Sequence, residues 1–325
     1  MSGISRIIDV RPGEGVIVGK ATATLFGIIA AHTMLETARD ALFLQSMPPS
    51  ALTYVYGILA GLAIVVSRAN ALFVRRFGRR NALIFTLGAA AYGTIFIYLV
   101  PSTPQLYFAF YVWSALLGTV MAVQFWLFAG RRFTVSQGKR LFGALASGGV
   151  LGAVTGATVS LAVLRFFTIE TLLLVASVVF ISTSLLQTTV ASDDVGVTPG
   201  TKTKLLAGFD NFRNEPYLRR LALLIALSTM TVLCADYMFK ASAAKTVAAE
   251  NLGDFFATYY AVLNGVALVV QLGLSAVLVR RIGVVTSAAI LPVLLLAGGV
   301  GTLLAGGAFF AVILTKGADG SLRHS

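Results

Sequence analysis

The chain alternates between long apolar runs and short polar breaks. A helical span of a bilayer needs about 20 predominantly apolar residues. The runs that meet this length are residues 16–35, 52–74, 82–100, 106–130, 141–164, 171–190, 221–242 and 255–279. A further run of 28 positions, residues 288–315, is long for one span and short for two, and we favour two. The pattern predicts an all-α, polytopic membrane protein with nine or ten transmembrane helices.

The composition agrees with a membrane protein. Hydrophobic residues make up 57% of the chain and charged residues 12%, whereas soluble domains carry about 25% charged residues. A net charge of +12 would suggest nucleic acid as the partner of a soluble protein. Here the Lys and Arg residues gather in the breaks on one side of the spans, as the positive-inside rule describes. We therefore predict a lipid bilayer as the environment, a cytoplasmic N-terminus and no nucleic-acid partner.

The sequence offers no residue set for catalysis or metal binding. Cys234 is the single cysteine, and the two histidines, His32 and His324, lie far apart. Structural metal sites usually need several Cys or His residues at short spacings. No nucleophile–base set is visible either, so we predict no enzymatic activity, no metal site and no cofactor.

A weak internal repeat relates the second predicted span to the eighth. A shift of 205 positions places Thr53-Tyr54 on Thr258-Tyr259, and Val74-Arg75-Arg76 on Val279-Arg280-Arg281. Both copies run in the same direction. This arrangement resembles the parallel relation between the two halves of major facilitator transporters, in which the substrate site lies between the halves.

The repeat predicts how the chain is divided. We assign a six-helix half to residues 1–190, a cytoplasmic linker to 191–220 and a partial second half of three or four helices to 221–325. At this repeat interval, a second half of six spans would extend past residue 325. The expectation is therefore an incomplete second half, whose missing helices a partner chain could supply.

Charged residues occur inside two predicted spans that the repeat makes counterparts. Glu36, Arg39 and Asp40 lie at the far end of the first span, and Asp236 and Lys240 lie within the seventh. A charge at the centre of a span costs about 2.5–3.5 kcal/mol on insertion scales, so such residues usually line a polar pathway. Their spacings also suit ion pairs along one helix. Two interpretations stay open: both sets line one cavity, or each set only neutralises itself.

Two other patterns indicate structural or gating roles. Three glycines spaced four apart on one face of the fifth span predict close packing against another helix; they are Gly148, Gly152 and Gly156. Basic residues in the loops after the second and fourth spans are predicted to orient loops or to take part in gating; they are Arg75, Arg76, Lys139 and Arg140.

Taken together, these residues resemble the ADP/ATP translocases of intracellular bacteria and plastids, with their wider bacterial relatives. The resemblance covers nearly the whole chain. Its segments are Arg39-Asp40-Ala41-Leu42, Phe125-Trp126-x-Phe128 with Gln137-Gly138-Lys139-Arg140, Asp236-x-x-x-Lys240, and Asp319-Gly320-Ser321-Leu322-Arg323. The Pro-x-acid-x-x-base signature of mitochondrial carriers is absent from the sequence.

The resemblance implies counter-exchange of adenine nucleotides by alternating access, in a bacterial inner membrane. Arg39 stands where importing members have lysine, Asp236 stands where they have glutamate, and Lys240 matches directly. Two positions depart from the pattern. Glu36 occupies a position that is basic in many importers, and Gln137 occupies one that is often acidic.

We therefore predict a transporter of nucleotides or of a related organic anion. The predicted substrate-binding and coupling residues are Glu36, Arg39, Asp40, Asp236 and Lys240. Arg39 is the predicted contact to the substrate anion, because the planar guanidinium fork suits phosphate. The alternative is a major facilitator-like module without transport activity, which serves as an anchor or a sensor or is a truncated relic.

Overall fold

Long helices joined by short turns make up the described part of the computed structural model, residues 10–11, 13–190 and 215–269. The helices are α1 (Gly15–Ser46), α2 (Ala51–Phe77), α3 (Arg79–Leu99), α4 (Pro104–Arg132), α5 (Val135–Leu164), α6 (Thr171–Thr188), α7 (Pro216–Thr246) and α8 (Leu252–Val269). A 3₁₀ turn at Ala249–Asn251 precedes α8. Among the described residues, eight helical segments are long and apolar enough to cross a membrane. This confirms the prediction of an all-α, multi-pass membrane protein.

Several predictions fall outside the described residues. They concern the linker as far as residue 214, the run 288–315 with its one or two spans, the repeat copy at Arg280-Arg281 and the segment 319–323.

Three helices extend at least five residues beyond the predicted spans, namely α1, α5 and α7; α5 begins at Val135 and not at residue 141. α1 continues to Ser46 instead of ending near Leu35, so the segment with Glu36, Arg39 and Asp40 lies inside a helix and not at its end. The charges do not stop the helix because other side chains of the protein pair with them. The helix ends where Met47 turns to extended backbone before Pro48, since the residue before a proline avoids the helical region. α7 begins at Pro216 and not at Leu221, because proline is well suited to a first helical turn.

α1 is the central helix of the described residues. It packs against α4, α5 and α6, and also against α7 and α8. α3 packs on α6 and α4, α2 packs on α4 and α3, and α5 packs along α8. Large apolar side chains such as Ile64 and Val65 on α2 are exposed, as expected of a surface that faces lipid.

The predicted glycine face of α5 lies directly against α1. A Cβ built on Gly152 would lie 2.4 Å from the carbonyl oxygen of Phe26, and one on Gly156 would lie 2.4 Å from that of Ala30. A Cβ on Gly148 would lie 2.8 Å from the carbonyl oxygen of Thr22. Only residues without a side chain allow two helix backbones to approach this closely. The structural role predicted for these glycines is therefore confirmed.

Candidate functional site

The five charged residues predicted from the first and seventh spans meet in one continuous set of ion pairs. Arg39 on α1 contacts Glu36 (Nη2–Oε1 3.2 Å) and Asp40 (Nε–Oδ1 2.9 Å). Lys240 on α7 contacts Asp40 across the two helices (Nζ–Oδ2 3.1 Å) and Asp236 one turn away (Nζ–Oδ2 2.9 Å). We call this set the charge chain: Glu36, Arg39, Asp40, Lys240 and Asp236, with acids and bases in alternation.

The helix ends explain why Asp40 and Lys240 meet. α1 ends at Ser46 and α7 at Thr246, so Asp40 and Lys240 lie at the same distance from the ends of their helices. Glu36 and Asp236 also lie at equal distances from these two helix ends. The two sets of charges are therefore not neutralised separately within each helix, because the Asp40–Lys240 pair joins them.

Two tyrosines from the neighbouring helices each donate a hydrogen bond to one of the three acids, namely to Asp236 and to Asp40. Tyr56 on α2 donates a hydrogen bond to Asp236 on α7 (Oη–Oδ2 2.7 Å). Tyr260 on α8 donates one to Asp40 on α1 (Oη–Oδ2 2.6 Å). Hydrogen bonds to an ionised acceptor are shorter and roughly twice as strong as neutral ones. A tyrosine of the first six helices thus binds an acid of α7, and a tyrosine of α8 binds an acid of α1.

Tyr111 on α4 contacts both bases of the charge chain. Its hydroxyl accepts a hydrogen bond from Lys240 (Nζ–Oη 2.5 Å), and the Arg39 guanidinium lies 4.4 Å from the centre of its ring. Cations are attracted to the face of an aromatic ring at this distance. Sequence reasoning missed the roles of Tyr111 and Tyr260. The repeat gave no signal for Tyr260, because the shift of 205 positions places Tyr56 on Ala261 and Tyr54 on Tyr259.

Burial differs along the charge chain. The side chains at its centre are nearly inaccessible: Arg39 is 6% exposed, Asp40 0% and Lys240 2%. The carboxylates at its two ends are more open, with Glu36 at 34% and Asp236 at 18%. Buried charges are tolerated only when they are paired and hydrogen-bonded, which is the case for the three central residues. The accessible parts of the chain are therefore acidic.

Two further contacts join α1–α6 to the later helices near the C-terminal end of α1. Gln45 near the end of α1 donates a hydrogen bond to the carbonyl of Ala249 (Nε2–O 2.9 Å). A Cβ built on Gly253, at the start of α8, would lie 3.0 Å from Cδ1 of Ile169. These contacts bring the two segments together at the end of α1 opposite its N-terminus.

Comparison with known proteins identifies the family. The sequence model of the TLC ATP/ADP transporter family matches residues 157–324, which is more than half of the chain. The protein belongs to the TLC ATP/ADP transporter family. The predicted relationship is therefore confirmed. The search of curated proteins found no match.

A solved structure shows the fold of this TLC family member. The crystal structure of a D-xylose-proton symporter is similar over 94% of this chain and 80% of that chain, with a TM-score of 0.54 and 13% identity. At this identity the likeness concerns the fold alone. It confirms the predicted major facilitator-like fold.

The predicted loop residues of the TLC family member lie away from the charge chain. Arg140, in the first turns of α5, pairs with Glu14 just before α1 (Nη2–Oε1 2.8 Å). Gln137 also donates to Glu14 (Nε2–Oε1 2.9 Å). Arg75 and Arg76 are exposed at the end of α2. The side chain of Lys139 lies outside the described residues.

Glu14 has a strongly perturbed acidity. The hydrogen bond from Gln137, followed by that from Arg140 and from the backbone N–H of Arg11, lowers the pKa of Glu14 to about 2. The contacts with α5 therefore favour the ionised form of Glu14 down to more acidic pH than for an ordinary glutamate. They fasten the start of α1 to the start of α5.

A metal centre finds no support in the part of the chain that the structure describes. No group of three or more His, Cys, Asp or Glu residues there is arranged to hold an ion. The chemistry of the site is that of paired side-chain charges.

Proposed function

We propose that this protein carries a nucleotide or a related organic anion across a bacterial inner membrane by alternating access, in exchange for a second anion. The observation that carries the proposal is the Asp40–Lys240 pair. It joins α1 to α7, the first helices of the two segments that the repeat relates, through buried charges. Family membership and the major facilitator-like fold support the same function.

The charge chain suits a gate that a substrate anion can open. Arg39 and Lys240 are each shared between two carboxylates, so a phosphate that approaches them competes with those carboxylates. The planar fork of Arg39 can then bind phosphate oxygens with two parallel hydrogen bonds. Loss of the Asp40–Lys240 contact would separate α1 from α7. The anion thus replaces carboxylates as the ionic partner of Arg39 and Lys240, and this replacement opens the gate.

The charge distribution supports an orientation for this cycle. Basic residues follow α2 and α4, at the same membrane face as the N-terminus, so we place this face in the cytoplasm. The charge chain then lies toward the outer face. We place the boundary between a six-helix half, residues 1–190, and a second half at the linker predicted over 191–220, whose last residues belong to α7 because that helix begins at Pro216. In this arrangement the described contacts close the outer side.

The test is exchange of labelled ATP, and of other organic anions, by the purified protein in liposomes preloaded with candidate counter-substrates. We expect saturable exchange. Arg39→Ala and Lys240→Ala should each lower it about 10–100-fold, since a hydrogen bond to a charged group contributes about 1.5–3 kcal/mol. Lys245→Ala is the matched control, because Lys245 is an exposed lysine of the same helix.

Gel filtration and thermal unfolding of each variant separate a loss of transport from a loss of folding. Folded wild-type protein that exchanges no nucleotide and no other organic anion would reject the proposal. It would favour the alternative of a transport-inactive membrane module.

A further inference from the structure

A groove lies between α3 and α6 on the outer surface of the helices. Its volume is about 220 Å³. Exposed side chains of both helices line it, namely Tyr92 on α3 with Ile181 and Leu185 on α6. The hydroxyl of Ser184, which also lines the groove, donates a hydrogen bond to the carbonyl of Ile84 (Oγ–O 3.3 Å). The groove therefore offers a mostly apolar surface to the lipid around the protein.

Two basic side chains bind the end of α6, at one end of this groove. Arg80, in the first turn of α3, donates hydrogen bonds to the carbonyls of Gln187 (Nε–O 3.3 Å) and Thr188. Lys20 on α1 donates one to the carbonyl of Thr189 (Nζ–O 2.9 Å). The C-terminus of a helix carries about half a negative charge, so these contacts leave roughly one and a half positive charges uncompensated.

The neighbouring helices α2–α5 supply no acid to balance these bases. Residues 41–169 contain neither Asp nor Glu. Glu14, near the same face of the protein, is paired with Arg140. The described partners of Lys20 and Arg80 are main-chain carbonyls, which carry no net charge. The end of α6 is therefore a place that attracts an anion.

The groove lies below these bases at the depth of an acyl chain. Gly88, which lines the groove, follows Arg80 by eight residues on α3, or about 12 Å along the helix axis. The hydrocarbon layer of one leaflet is about 15 Å thick, half of the apolar core of a bilayer. A phospholipid has its parts in the same order, with a phosphate at the membrane surface and acyl chains beneath it.

We propose that the groove between α3 and α6 binds an anionic phospholipid, with its phosphate at Arg80 and Lys20 and an acyl chain beside Gly88. Arginine binds phosphate oxygens through its planar fork, and lysine binds them as a point charge. An acyl chain gains little hydrophobic energy by moving from the bilayer to an apolar helix surface. The bases therefore select the headgroup, and the groove fixes where the chain lies. The site shares no residue with the charge chain and does not depend on transport.

The test measures binding of one lipid at a time to the purified full chain in detergent micelles. Phosphatidylglycerol is the anionic probe, and phosphatidylcholine with the same acyl chains is the zwitterionic control. Native mass spectrometry counts the bound lipid, and thermal unfolding reports the stabilisation that binding brings by mass action. We expect phosphatidylglycerol to bind roughly tenfold more tightly than phosphatidylcholine, because it adds charge-assisted contacts without a cationic headgroup. It should also raise the melting temperature more.

Two variants test the groove and the headgroup site separately. Gly88→Leu fills the groove, since nothing lies within 4 Å of a Cβ built on Gly88, and it should weaken phosphatidylglycerol binding roughly tenfold. Arg80→Gln keeps a donor for the carbonyls of α6 but removes the charge, so it should abolish the preference for phosphatidylglycerol.

Each variant has a matched control on α2. Gly61→Leu adds the same side chain where a Cβ also meets nothing within 4 Å. Arg75→Gln removes the same charge from an exposed arginine at the end of α2. Both controls should bind phosphatidylglycerol as the wild type does.

Four results would overturn the proposal. Equal binding of the two lipids would mean that the bases do not select a headgroup, and wild-type affinity in Gly88→Leu would mean that no chain lies in the groove. Equal losses in Arg75→Gln and Arg80→Gln would indicate diffuse attraction to a basic surface. Equal stabilisation by glycerol 3-phosphate would indicate a site for a free anion. Because Gly88→Leu leaves the end of α6 unchanged, it decides the question even if Arg80→Gln lowers the stability of the fold.

Discussion

α1 is held on two sides by different kinds of contact. Toward α5, the backbone of α1 lies against a face of glycines, and Glu14 pairs with Arg140 at the start of both helices. Toward α7, the contact is the buried ion pair between Asp40 and Lys240. The first interface is mainly steric and lies within the first six helices. The second is electrostatic and joins those helices to the later ones.

The two interfaces differ in how many arrangements they allow. A backbone seated against glycines has one register, because any shift brings side chains into the space that the glycines leave empty. Ionic partners can be exchanged: Asp40 already contacts Arg39, Lys240 and Tyr260 together. The comparison therefore favours a unit of α1 with α5 that stays intact, and a contact with α7 that opens.

The largest expected loss of stability comes from Gly152→Leu, which places a side chain in the interface of α1 with α5. The new Cβ would lie 2.4 Å from the carbonyl oxygen of Phe26, and a backbone oxygen cannot rotate away. Overpacking of a core costs about 1–3 kcal/mol even where side chains can adjust, so we expect a loss above that range and little folded protein. Thermal unfolding in detergent, with gel filtration, measures it.

Gly143→Leu is the matched control on the same helix, since nothing lies within 4 Å of a Cβ built on Gly143. It should unfold within a few degrees of the wild type. Equal losses in the two variants would mean that the glycine face of α5 is not what fixes α1.

Sequence reasoning predicted the spans and the paired charges, because both depend on residue types at fixed spacings. Glu36, Arg39, Asp40, Asp236 and Lys240 all belong to the observed cluster. The pattern did not show whether the two sets neutralise themselves separately, since helical spacing is the same in both cases. The answer depends on how α1 and α7 are placed along their axes relative to each other, because this placement brings Asp40 beside Lys240.

The tyrosine contacts and the true end of α1 could not be predicted from residue patterns. Apolar periodicity ends a span at its first charges, so it could not predict that α1 continues to Ser46 with its charges buried. Tyrosine is common in membrane helices. Only the packing of α2, α4 and α8 around α1 and α7 selects Tyr56, Tyr111 and Tyr260 from the other tyrosines.

An intermediate loss of stability is expected for Asp40→Asn, which removes the ion pair between α1 and α7. The variant keeps the shape of the side chain but removes the charge that joins the two helices, while Glu36–Arg39 and Asp236–Lys240 can persist within theirs. We expect a loss of about 1.5–3 kcal/mol, the usual contribution of a hydrogen bond to a charged group. The separation of α1 from α7 should also become easier.

Cross-linking measures that separation. Gln45 contacts Ala249 at the closed end, so cysteines at these two positions, in a Cys234→Ser background, report closure through a short bifunctional thiol reagent. Asp40→Asn should lower the cross-linked fraction, whereas Glu14→Gln, which breaks a pair on the α5 side, should leave it unchanged. A lower fraction with Glu14→Gln would show that the two interfaces are coupled.

The smallest expected effect belongs to the pair at the start of α1 and α5. The contacts of Glu14 lower its pKa from 4.5 to about 2, so the fold favours the ionised form. A depressed folded-state pKa contributes stability that is complete above the unfolded value and is lost as the pH falls through the folded value. The melting temperature of the wild type should therefore exceed that of Glu14→Gln by a constant amount above about pH 5, and the difference should shrink toward pH 2. A difference that grows on acidification would mean that Glu14 is held in its protonated form, and that Arg140 does not fasten α1 to α5.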